Sequence, residues 1–78
     1  MPYQPHPTAP ARLTAAVAVL AADIAAELAG VRRDYATLDA GARLMRRLDV
    51  PSIEDAVREE ARQRVLRRRW AAMTGGAA

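Results

Sequence analysis

Large apolar residues recur every three or four positions over the first half of the chain, at Leu13, Val17, Leu20, Ile24, Leu28, Val31, Tyr35 and Leu38. Steps of 4, 3, 4, 4, 3, 4 and 3 put these side chains on one face of an α-helix, and a strand would need a period of two. Alanines at 15, 16, 18, 21, 22, 25, 26 and 29 flank the row and allow a second helix to approach closely. A row of this length constrains the fold more than any other feature. It predicts a long alanine-rich helix over about 11–30, possibly to 36, with more apolar face than so short a chain can cover alone.

Composition sharpens that expectation. Hydrophobic residues make up 51% of the 78, but 19 of them are alanine, only 15 are Leu, Ile or Val, and Phe is absent. One small domain of this length buries roughly 60% of its unfolded surface, so a second copy or another protein is expected to complete the core. A self-contained enzyme with a deep pocket is disfavoured on the same ground.

Residues 1–10 hold four of the five prolines and read as an extended arm. Residues 11–73 form a single small helical domain, and 74–78, with the pair Gly75 and Gly76, a short tail. The longest apolar run, Leu13 to Ala22, is about half of a bilayer span. No basic region precedes it as in a signal peptide. A cytoplasmic protein with no membrane contact is therefore expected.

After Gly30 the sequence VRRDYATLD admits two readings. As helix, Val31, Tyr35 and Leu38 continue the apolar row; as a short strand over 32–38, Arg33, Tyr35 and Thr37 alternate with Arg32, Asp34, Ala36 and Leu38. A short helix over 39–48 follows, with Leu44, Met45 and Leu48 inward and Arg43, Arg46 and Arg47 outward. Asp49, Val50 and Pro51 make a turn, and Ser52 caps a last helix over 52–73, with Asp55 completing a capping box. In that helix Ile53, Val57, Ala61 and Val65 form one row, while Leu66, Trp70 and Met73 lie roughly opposite and offer a second contact face.

Catalytic groupings are scarce. Cysteine is absent, and the one histidine, His6, sits in the proline arm with no second ligand beside it. The carboxylate pairs Glu54/Asp55 and Glu59/Glu60 alternate with arginines, as on a solvated helix face. Asp55, Arg58 and Glu59 form D-x-x-R-E, which resembles a local stretch of the small all-helical chorismate mutases; the early basic position of their first helix is alanine here. No enzyme, metal or cofactor is expected.

Charge is more informative. All 12 basic residues are arginine, the net charge is +3, and the second half of the chain carries the excess, with nine arginines against five acids from residue 43 onward. Arg62, Arg64, Arg67, Arg68 and Arg69 fall in RQRVLRRRW without an acid among them. Guanidinium groups pair bidentately with phosphate, so this run is a candidate nucleic-acid contact; the competing reading is a solvated or acid-paired face.

The segment LDVPSIEDAVREEAR, Leu48 to Arg62, resembles the second half of ribbon-helix-helix proteins, the fold of many small DNA-binding antitoxins such as the VapB type. The resemblance extends back to Leu38-Asp39 as the end of a strand. It implies that Arg33, Tyr35 and Thr37, or the alternate set with Arg32, enter a major groove from a two-stranded dimer ribbon. It also implies that Ser52 and its helix N-terminus hold a phosphate.

The leading expectation is a mainly α, non-enzymatic homo-oligomer acting as a DNA-binding regulator or antitoxin. Its nucleic-acid contacts are expected at Arg32, Arg33, Ser52, Arg62, Arg64, Arg67, Arg68 and Arg69. The alternative is a helical structural or adaptor subunit of a larger assembly, such as a virion or multisubunit complex. Leu13, Val17, Leu20, Ile24, Leu28, Leu66, Trp70 and Met73 are the expected partner interface in either case.

Overall fold

The computed structural model describes residues 9–75, folded as three helices: α1 (Ala9–Asp34), α2 (Leu38–Leu48) and α3 (Ile53–Gly75). The proline arm and the tail lie outside the described residues, except for Ala9 and Pro10 in α1 and Thr74 and Gly75 in α3. Pro10 stands in the first turn of α1, where the N–H it lacks would have no helical acceptor.

α1 passes through Gly30 without a break, and the Tyr35 N–H still donates to the Val31 carbonyl at 3.0 Å. The short strand over 32–38 does not form. Residues 32–34 complete α1, 35–37 turn, and Leu38 opens α2 as an exposed residue. The reason is tertiary: Val31 is fully buried against Val57 and Ala61, and only a helix keeps it on the face shared by Ile24, Leu28 and Tyr35. Packing overrides the local strand preference of Tyr35 and Thr37.

Side-chain caps set the other boundaries. Thr37, in extended backbone, accepts a hydrogen bond on Oγ1 from the Ala40 N–H at 3.1 Å and starts α2. Asp49 ends α2 in the left-handed region (φ 53°, ψ 52°), with its own N–H on the Arg46 carbonyl and that of Val50 on the Met45 carbonyl. Ser52 Oγ then accepts from the Asp55 N–H at 3.1 Å and starts α3.

α1 and α2 both pack on α3. Ala56, Val57, Ala61 and Val65 are buried on α3, Gly41 and Leu44 on α2, and Val31 on α1. The expected row through Val57, Ala61 and Val65 is thus the face that carries the core, with Ile53 at its margin. Gly41 leaves room for Ile53, whose Cδ1 would stand 2.9 Å from a β-carbon at that position.

Ion pairs join Asp23 to Arg69, Glu27 to Arg68 and Asp34 to Arg64, so α1 runs antiparallel to α3. Asp23 is already level with Arg69, six residues short of the end of α3. The first two turns of α1 therefore project past the described end of α3.

Candidate functional site

The arginines expected to meet phosphate are distributed over several faces and mostly held by carboxylates. Arg68 and Arg69 reach across to Glu27 and Asp23 of α1 at 2.7 and 2.6 Å. Arg64 binds Asp34 at 2.9 Å, with its guanidinium carbon 6.0 Å from the centre of the Tyr35 ring. Arg62 grips Glu59 through Nε and one terminal nitrogen, both at 3.1 Å, and Arg67 binds Glu60 at 3.1 Å. Arg32 lies 3.4 Å from Glu54, and Ser52 spends its hydroxyl on the helix cap. Arg33 has no carboxylate partner among the described residues.

Among the twelve arginines, Arg12, Arg33, Arg46 and Arg58 have no acid partner among the described residues, and they are scattered along all three helices. Exposed ion pairs of this kind contribute about 0–1 kcal/mol each, so they orient α1 on α3 more than they hold it there.

One acid corrects the reading of Glu59/Glu60 as a solvated pair. Glu60 is only 2% exposed and joins three parts of the chain: Arg47 of α2 and Arg67 of α3 donate to its carboxylate, and the Tyr35 hydroxyl approaches it at 3.4 Å. Burial pushes its pKa up, but hydrogen bonds and charge from Arg47 and Arg67 together outweigh burial and hold it below the ordinary value. Glu59 is held low chiefly by its hydrogen bond from Arg62, against the opposing effect of burial. The spacing of Glu60 with Val57 and Arg64 was a signal that it shares the inner side of α3.

The expected partner face divides into three parts. Leu13, on the overhang of α1, and Val17, level with the end of α3, are 67% and 63% exposed, and Leu20 is half-buried. Ile24 and Leu28 pack on the core from one side and line an open groove from the other. That groove, about 690 Å³, has Ala21 and Ala25 on its α1 wall, Leu48 and Val50 at one end, and Asp55, Arg58, Glu59, Arg62 and Gln63 on its α3 wall. Leu66, Trp70 and Met73 line a second depression farther along α3, where Trp70 and Met73 are 67% and 76% exposed. Val19, also exposed, was missed because it lies off the main row.

The groove gathers Asp55, Arg58 and Glu59 of the D-x-x-R-E stretch, yet Glu59 is already closed on Arg62. Among the described residues no group of three or more acids, His or Cys could hold a metal ion. By length and composition alone α1 could also cross a membrane. At 26 residues the helix reaches well beyond the uninterrupted run from Leu13 to Ala22. Two acids of this helix, Asp23 and Glu27, are tied to α3. Comparison with known proteins finds no matching family model, curated protein or solved structure.

Proposed function

We propose that the chain is a non-enzymatic helical subunit or adaptor, cytoplasmic, whose work is to join a protein assembly through the face formed by α1 and the C-terminal half of α3. One observation carries this reading: the longest apolar row in the sequence ends at Leu13 and Val17 in exposed side chains, and Trp70 and Met73 are exposed on the neighbouring helix. Contiguous exposed apolar surface on so small a protein costs solubility unless a partner covers it. The basic run supports the same reading, because its arginines are engaged with the protein's own acids.

An oligomeric DNA-binding regulator or antitoxin is the second reading. It is favoured by the net charge of +3 and by the four arginines that have no acid partner among the described residues. One experiment separates the two. The native mass of the tagged chain, measured in extracts of cells that produce it, should exceed that of one tagged chain, survive nuclease, and collapse to it on Val17→Glu. A complex that nuclease abolishes would favour the second reading, and a lone chain in every sample would contradict the first.

A further inference from the structure

We infer that the partner for α1 is a second copy of this chain, paired antiparallel across a two-fold axis so that the overhang of each α1 lies in the α1–α3 groove of the other. The inference rests on the assembly reading and names its partner. In a two-fold interface, if residue i of one copy meets residue j of the other, then j also meets i. For two antiparallel helices this requires an apolar row that is symmetric about its own midpoint.

The stretch of the row from Leu13 to Leu28 meets that requirement, and Val31, its next member, is already buried in the core. About a point between residues 20 and 21, Leu13 mirrors Leu28, Val17 mirrors Ile24, and Leu20 mirrors Ala21. The small flanking residues obey the same symmetry: Ala16 mirrors Ala25 and Ala15 mirrors Ala26. The two halves are also complementary in state. Leu13 and Val17 are the uncovered half, and their mirror positions, Leu28 and Ile24, are those that wall the open groove. Antiparallel pairing therefore places each bare side chain over a groove-lining one, twice, in a single register.

Neighbouring features agree with that register. Leu48 and Val50 also line the groove and add apolar surface for the partner's α1. Arg12 is the only charged side chain from residue 9 to 22 and has no acid partner among the described residues; the pairing carries it toward the groove that Asp55 lines, a carboxylate with no cation partner among the described residues. On α3 the row continues from Arg62 at the groove to Leu66, Trp70 and Met73, which would flank the paired α1 helices. Four helices, two from each copy, then enclose one apolar seam with the shallow crossing usual for such bundles.

The natural sequence has no cysteine, so introduced ones report contacts cleanly. In the purified protein, Val17→Cys/Ile24→Cys should lock into a covalent dimer under mild oxidation, while either single variant should not. Leu13→Cys/Leu28→Cys asks the same of the outer contact. Sedimentation of the unmodified protein should give twice 8.5 kDa, and Val17→Glu should give one chain with its helical circular dichroism retained. Locking by Val17→Cys alone would mean parallel pairing and overturn the inference. A single-chain mass for the unmodified protein, or binding to phosphatidylcholine vesicles by a protein monomeric without them, would also overturn it. If the purified protein is monomeric but the complex in cell extracts still collapses on Val17→Glu, self-pairing fails and the assembly reading stands; if that complex is absent too, both fail.

Discussion

At the scale of single residues, Glu60 is where the three helices meet. A buried carboxylate is tolerated when charged donors satisfy it, and here Arg47, Arg67 and Tyr35 converge from α2, α3 and the α1–α2 turn. Replacing it as Glu60→Gln keeps the shape and removes the charge, which should cost roughly 1–2 kcal/mol of stability by thermal or urea denaturation. The pH dependence follows from the lowered pKa. A carboxylate held below its ordinary 4.5 stabilises the folded state in full above that value, and the contribution is lost as pH falls through the folded-state pKa. The melting temperature should therefore drop below about pH 4.5 and drop less in Glu60→Gln; identical slopes would show that Glu60 contributes nothing. The residue was hard to recognise in the sequence because it stands among acids and arginines that are solvent-facing, and only its helical phase with Val57 marks it as internal.

At the scale of elements, the two turns are defined by oxygen caps rather than by apolar packing. Ser52→Ala and Thr37→Ala each remove one hydrogen bond to a helix-starting N–H and should each cost about 1 kcal/mol. Thermal melts of the two variants and of the pair would check this, and additivity is expected because the caps belong to different helices. Ser52 was legible from the sequence, since serine, a preceding proline turn and an acid three residues later carry their own geometry. Thr37 was not, because its β-branched side chain beside Tyr35 fits a strand equally well until Val31 is known to be buried. The three helices themselves were legible from periodicity alone, with bounds extended by a few residues where caps and packing reach farther than the apolar row. What periodicity could not give was the pairing of Arg68 and Arg69 with Glu27 and Asp23, since which acid a long side chain meets depends on helix order and register.

At the scale of the whole molecule, the defining property is incompleteness. The core is a few side chains around Val31, Leu44, Val57 and Ala61, while an apolar helix end and an aromatic residue stand in solvent. A chain with so little internal burial gains stability from whatever covers that surface, and its stability becomes dependent on concentration when the cover is another copy. Amide hydrogen exchange across α1 tests this most directly, because backbone amides with no tertiary support open at almost no free-energy cost. The account predicts that amides 13–20 are protected in concentrated protein and lose protection on dilution, while those of 56–61 in α3 keep more. Protection of 13–20 that is absent at every concentration, or that never changes with concentration, would contradict it.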